Sequence, residues 1–402
     1  MIRKGAFVLL VVGMAVPAFA ATPPLENVTV VQLEQKLAIA QSVPDAELAQ
    51  RLANMRLTER LSNPKLAHLK AGLPGTKSQE ALEALADLSV FLDPPADEIP
   101  ADPTPDAATL RQMMVAIVNY VNTTVRQLPN FIATRDTTAF EDRQAEDVQE
   151  ATGVVSYSYL PLHVVGRSTA TVTYRDRQEM VAAGAGKGKK AGSPVHGLVT
   201  AGEFGPILST VVGDAVKGKI TWGHWERTAN ANEAVFNYSV PKSQSHYVVQ
   251  FCCIADNVSD NLNTHLYTER AGYHGEIAFN PKDGAILRIV AEAELMPGEL
   301  VANAGMLVQY GQVEIGGRSF ICPSKSVSVL MAHAEHPKMG MHMAIYDGVP
   351  KTFLNDVAFG DYHQYRGETR ILTEDAVGDK GDSPDQQSAT PPPINSSTSP
   401  SR

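Results

Sequence analysis

The feature that most constrains this 402-residue chain is a change of hydrophobic period at Phe131. Before it, apolar residues recur every three or four positions; from Phe131 to about Leu372 they recur every two. A period of 3.6 gathers side chains on one helix face, whereas a period of two sends alternate side chains to opposite faces of a strand. The candidate strands are Phe131–Phe140, Thr152–Leu160, Ser168–Tyr174, Ala234–Val240, Ser245–Cys253, Tyr273–Phe279, Ile286–Leu295, Gly305–Ile315, Ser319–Met331 and a last one near Asp361–Leu372. Ser168–Tyr174 and Ser245–Cys253 have the β-branched and aromatic weight of strands. Asn280-Pro281-Lys282-Asp283-Gly284 and Gly316-Gly317 are tight-turn signals, so successive strands are expected to run antiparallel. One short helix is expected within Ala201–Val216, and no repeat of solenoid or propeller length is present.

The earlier part reads as helices. Thr29 caps a segment with Val30, Leu33, Leu37 and Ala40 in register; Asp45 opens a second with Leu48, Leu52 and Met55 on one face. A third carries Ser78 as cap, then Ala81, Leu82, Leu85, Leu88 and Phe91, and stops at Asp93-Pro94-Pro95. Such short helices are marginal alone, so a bundle over residues 21–92 is the economical expectation. Residues 93–104 are proline-rich and acidic and read as a linker. Thr104-Pro105-Asp106 then starts a long helix with Leu110, Met113, Met114, Ile117, Val121 and Val125 as its apolar positions, ending before Pro129. The expected fold class is α+β: an N-terminal helical bundle followed by a strongly curved antiparallel sheet, a half-barrel, wrapped on the long helix at residues 105–373. Residues 374–402 are rich in Asp, Ser, Pro and Gln and are expected to be disordered.

The first twenty residues read as a secretory signal. Arg3 and Lys4 precede an apolar run from Gly5 to Val16, and Pro17 stands before Ala18-Phe19-Ala20, a small-x-small cleavage pattern. The run is too short to span a bilayer, and no later stretch approaches the necessary length. The expected location is therefore the periplasm or the exterior. Loss of Arg3 and Lys4, the only charges in the leader, takes the formal net charge from −10 to −12. A chain this acidic offers no basic footprint for nucleic acid or anionic lipid. Three cysteines, Cys252, Cys253 and Cys322, are too few and odd in number for a disulfide framework. Export permits one bridge, from Cys322 to one member of the pair, and three buried thiols are the alternative.

Motifs for catalysis are missing. Gly184-Ala185-Gly186-Lys187-Gly188-Lys189 resembles a phosphate loop but lacks the Ser or Thr after the lysine and sits in no βαβ unit. His333-Ala334-Glu335-His336 has the wrong spacing for a zinc protease, and no Gly-x-Ser-x-Gly elbow or papain-type cysteine setting occurs. His246 and His363 fall within strand patterns as half-buried surface residues. No enzyme activity and no cofactor are therefore expected. One metal reading survives: Met331, His333, His336, Met339, Met341, His342 and Met343 mix thioether and imidazole ligands of the kind that select copper, and a loop with incidental His and Met is the bland alternative. Trp222-Gly223-His224-Trp225-Glu226 holds both tryptophans; they share a strand face only if Gly223 makes a bulge, and a core anchor is the expected role.

Several blocks carry a family resemblance. These are the helix running into Leu128-Pro129-Asn130-Phe131, the pair Gly275-Glu276-Ile277-Ala278-Phe279 and Asp283-Gly284-Ala285-Ile286-Leu287-Arg288, and the stretch from Val308 to Gly317. Together they resemble the periplasmic lipoprotein-carrier fold shared by LolA, LolB and RseB. The resemblance spans residues 105–373 and implies an incomplete antiparallel barrel closing over helices around an apolar cavity. Ten strands at about 4.8 Å spacing sweep about 48 Å, whereas a helix is about 10 Å across. One helix alone leaves part of the concave face for loops, other helices or a ligand. The expectation is binding of a hydrophobic ligand, lipid or lipidated partner there, against Leu110, Met114, Ile117 and Val121. The alternatives are an envelope protein–protein interaction module with a filled barrel, and copper handling at 331–343.

Overall fold

The computed structural model describes residues 25–40, 42–149, 154–182, 197–198, 202–228, 232–255, 264–296, 300–333, 338–339, 344–345 and 350–365. The signal segment 1–20 and the tail 374–402 lie outside them.

The N-terminal segment begins with strand β1 (Glu26–Val28), helix α1 (Val30–Ile39) and helix α2 (Asp45–Ala53). Strand β2 (Met55–Leu57), helix α3 (Asn63–Ala71) and helix α4 (Thr76–Leu88) follow. Thr29 caps α1 through a capping box with Gln32. The segment is not purely helical. Met55, expected on the face of the second helix, instead opens β2, which pairs in parallel with β1. The physical reason is local: Asn54 ends α2 and gives its carbonyl to the Glu26 N–H, which commits the following residues to the strand pairing. Leu33, Leu48, Leu52, Leu82 and Leu85 close a core of their own here.

Helix α4 is capped from a distance. Ser78, expected as its N-cap, lies inside the helix, and Gly75 occupies the cap position with no side chain to offer. The Asp45 carboxylate on α2 accepts from the Lys77 and Ser78 N–H groups and from the Ser78 hydroxyl at 2.6–3.2 Å. Replacing Asp45 by alanine leaves the Lys77 and Ser78 N–H groups without their acceptor, while the Ser78 hydroxyl keeps the Gly75 carbonyl, and the thermal midpoint should fall, with the loss of helical signal confined to this segment. An unchanged midpoint would show that water serves equally well.

Residues 93–104 run close to the N-terminal helices. The Arg60 N–H bonds the Asp93 carbonyl, and Lys65 pairs with Asp97 and Glu98. Helix α5 (Ala107–Gln127) is capped by Asp106, which accepts from the Thr109 N–H at 2.7 Å, two residues beyond the expected Thr104. It ends before Pro129 as expected.

Beyond α5 the chain is mainly strands: β3 (Phe131–Gln149), β4 (Val154–Arg175), β5 (Gln178–Ala182) and β6 (Gly197–Leu198) precede helix α6 (Pro206–Lys217). Then come β7 (Lys219–Arg227), β8 (Asn232–Val240), β9 (Val248–Ala255), β10 (Thr264–Arg270), β11 (Gly272–Phe279) and β12 (Ile286–Glu294). Strands β13 (Val301–Ile315), β14 (Arg318–Ala332), β15 (Lys338–Met339), β16 (Ala344–Ile345) and β17 (Lys351–Gln364) complete the order. Ten of them form one antiparallel sheet, ordered β5-β4-β3-β17-β14-β13-β12-β11-β8-β7. The protein is thus a mixed α+β fold built on a large antiparallel sheet. Among the described residues the sheet is open, with β5 and β7 at its edges. A smaller sheet, β10-β9-β6, stands apart from it.

Over its central strands both faces of the large sheet are covered. One face carries Phe236, Tyr238, Tyr273, Ile277, Ile289 and Met306, packed against α5, α6 and the Val249 and Phe251 side chains of the small sheet. The other carries Val290, Leu307, Val327 and Leu354 and receives Ala84, Val90 and Phe91 at the end of α4. Phe91 sits so close that a Cβ on Gly305 would lie 2.7 Å from its ring. The Trp222–Trp225 pair follows the expected geometry: the register shifts at Gly223, and the two rings meet edge to face at 5.0 Å on the margin of the core. Cys322 is a free, buried thiol, pushed up to about 12 by its burial. It therefore makes no bridge to the cysteine pair.

Candidate functional site

The residues expected to line a ligand cavity take two positions. Ile117 is 0% exposed and Val121 is also buried; Leu110 and Met114 are half-buried at the margin of the same core. The face on which a ligand was expected is occupied by α6, with Val211 fully enclosed, and by the small sheet, where the Phe251 and Phe353 rings pack at 5.2 Å. Side chains of the protein itself surround Ile117.

Of the expected copper ligands, Met331 and His333 lie half-buried at the end of β14 and just after it. Met339 is described only as backbone of β15, and His336, Met341, His342 and Met343 lie outside the described residues. Among the described residues no three His, Cys, Asp or Glu side chains converge as metal ligands.

His246 is more organised than its strand-like surroundings suggested. Its ring is 68% exposed, but Nδ1 lies 2.6 Å from the buried Asp214 carboxylate, which also accepts from the His246 N–H and the Tyr273 hydroxyl. A carboxylate accepts only, so Nδ1 carries the proton in this contact. The arrangement ties the connection between β8 and β9 to the last turn of α6.

A concave surface suited to an apolar ligand lies elsewhere, between α1, α2 and the start of β2. It is a groove of about 510 Å³ lined by Leu37, Ile39, Ala40, Leu48, Leu52 and Met55. Leu48 and Leu52 also belong to the local core and form a fixed floor, whereas Ile39 is 85% exposed. Polar groups flank the apolar lining. Lys36 pairs with Glu26 at 2.9 Å, and Arg51 with Glu47 at 2.6 Å, all four largely in solvent. Pairs this exposed add little to stability. The groove was hard to foresee because Leu37, Leu48 and Met55 read as ordinary core stripe. The usable signal was Ile39, an isoleucine outside the Val30, Leu33, Leu37, Ala40 stripe with no partner on its own helix.

No helix among the described residues is long and apolar enough to cross a membrane. No protein-family profile matches the chain, and no curated protein matches it in sequence. Among solved structures it is similar to a DUF1329 family protein from Desulfovibrio piger, at 8% identity and a TM-score of 0.22, over 65% of this chain and 95% of that one. A likeness at that level bears on neither fold nor function.

Proposed function

We propose that this chain is a non-catalytic protein of the periplasm or the exterior that binds a hydrophobic ligand, a lipid or a lipidated partner, and that the α1–α2 groove receives the apolar part. The groove itself carries this reading: its volume falls within the roughly 300–1,000 Å³ of small-molecule sites, and its lining is mostly apolar with a few polar groups at the margin. The filled face beneath α5 supports the groove over the position first expected.

The test is uptake of a fluorescent fatty acid by the full mature chain. Ile39→Glu removes exposed apolar contact without touching the core, so affinity should fall about tenfold or more while the melting curve holds. Folded protein that takes up no fatty acid, or an Ile39→Glu variant that binds as tightly as the parent, would overturn the groove. Loss of uptake in Met114→Glu alone would return the ligand to the margin of α5.

A second reading, an envelope interaction module, is favoured by one observation. Leu160 and Val165 on β4, with Met180 and Val181 on edge strand β5, are substantially exposed. An apolar sheet edge is the surface to which a partner strand adds. Native mass spectrometry of the protein taken from its own envelope separates the two readings. Bound lipid supports the first; a protein partner that Val181→Lys displaces supports the second.

A further inference from the structure

The large sheet ends, at its β5 edge, over a set of aromatic rings. Phe131 stacks on Tyr174 with centroids 5.1 Å apart, and Phe204 meets Phe359 edge to face at 5.1 Å. Two carboxylates lie among them, Glu203 buried and Glu179 half-buried. Glu203, in the segment entering α6, is 0% exposed, and among the described residues neither of its side-chain oxygens has a hydrogen-bond donor. Glu179, on β5 directly across from Tyr174, accepts the Gly202 N–H at 3.0 Å through one oxygen, and its other oxygen is buried without a donor. The Tyr174 hydroxyl, on a residue 1% exposed, is likewise without a partner. One cation faces the pair: Arg135 on β3 approaches a Glu203 oxygen at 3.5 Å.

The charges of these groups do not balance. A buried carboxylate is tolerated when paired, and two carboxylates beside one guanidinium leave one negative charge uncompensated. A second cation or a proton must supply the difference. Among the described residues, no other titratable group around the pair supplies a cation within the core. Tyr310 on β13, Tyr362 on β17 and Tyr120 on α5 are phenols that burial keeps neutral, and Cys322 on β14 is a thiol held in the same way. Arg177, in the turn before β5, is exposed to solvent and acts on Tyr174 from outside. A proton also supplies the missing donor for the bare oxygens.

We propose that Glu179 and Glu203 hold one proton between them and act as a pH-sensitive clasp joining edge strand β5 to the segment that enters α6. Burial, followed by the Glu203 charge, pushes the Glu179 carboxyl up to about 7. Because the folded value lies above the ordinary 4.5, the clasp is fully made below that ordinary value. It is lost as pH rises through about 7, when Glu179 gives up its proton beside Glu203. On the opposite face Asp87, buried on α4, pairs with Lys325, which also meets Asp356, the latter two half-buried; burial pushes Asp87 up to about 7 as well, so α4 serves as an internal comparison.

Hydrogen exchange of the full chain tests the clasp. After correction for the chemical exchange rate, opening of residues 202–208 should rise about tenfold per pH unit between pH 5 and 7. Glu179→Gln and Glu203→Gln each leave one carboxylate for Arg135, and each should flatten that slope while leaving α4 unchanged. No slope in the parent, or the same slope in both variants, would overturn the proposal. Should neither variant fold, carbon NMR of the parent labelled at glutamate carboxyls decides it. One carboxyl of the pair titrating near neutrality supports the shared proton, and both titrating below about pH 5 refutes it.

Discussion

Arg288→Met should destabilise the protein by about 3–5 kcal/mol, the largest effect of any single side-chain truncation on the sheet. Arg288 is buried and grips both oxygens of Glu226, at 2.7 and 2.9 Å, while also reaching Glu276 at 3.2 Å. Arg60, from the N-terminal segment, closes the cluster on Glu226 at 2.6 Å and on Glu276 at 3.4 Å. Two cations and two anions balance, so removing one leaves a carboxylate uncompensated in a desolvated place. Chemical denaturation should show the loss directly. The double variant Arg288→Met with Glu226→Met should recover much of it, because Arg60 and Glu276 still match and apolar groups replace the missing pair. If the double variant is as unstable as the single one, the cost lies in packing and not in charge. The same cluster sets the acid limb of stability. Burial alone would raise the Glu226 carboxyl, but the nearby His224 imidazole at 3.6 Å, the hydrogen bonds from Arg288 and the Arg60 charge outweigh it and hold the group well below the usual range. Its contribution is therefore present above about pH 4.5 and is lost as pH falls further, and Arg288→Met should flatten that fall.

Gly284→Ala comes next in expected size, at about 2–5 kcal/mol, from left-handed backbone strain and overpacking together. Gly284 ends the turn between β11 and β12 with φ +74°, and a Cβ there would lie 2.4–2.6 Å from the backbone of Ala116 and Ile117 on α5. The turn is thus laid directly on the helix. Gly317, with φ +79° and open space around it, is the control, since alanine there meets strain alone. Its cost should be about 1 kcal/mol. Equal costs at the two positions would mean that the β11–β12 turn lifts off α5 freely.

That turn was legible in the sequence, as were the limits of α5 and most strands of the large sheet. Turn residues and alternating patterns are local signals, and here local and tertiary demands agree. They part company in β4, which reads as two strands, Thr152–Leu160 and Ser168–Tyr174, but runs unbroken from Val154 to Arg175. Pro161 and Gly166 spoil the alternation, and the structure absorbs them as two register shifts against β3. Strand β7 was missed for a similar reason, since the bulge at Gly223 breaks its period. The distant cap of α4 by Asp45 and the covering of the second sheet face had no local signature. A helical stripe shows that a face is buried without naming its partner. The Glu179–Glu203 pair was equally hidden, because the two residues meet only when β5 is placed against the entry to α6.

The strand order has a consequence for how the chain reaches its fold. Strand β3, the first of the large sheet to be synthesised, pairs with β17, the last, in a register that sets Phe131 opposite Gln364. Helix α4 waits equally long, because it docks on Leu307, Val327 and Leu354. Pairings this remote in sequence make folding slow, and apolar surface stays uncovered while they form. Strand β17 is the keystone: without it the sheet falls into two parts, β5-β4-β3 and β14 through β7, each with a newly bared interior edge. A nascent chain lacking Lys351–Gln364 is therefore a sticky intermediate in need of a holding chaperone, not a smaller version of the protein.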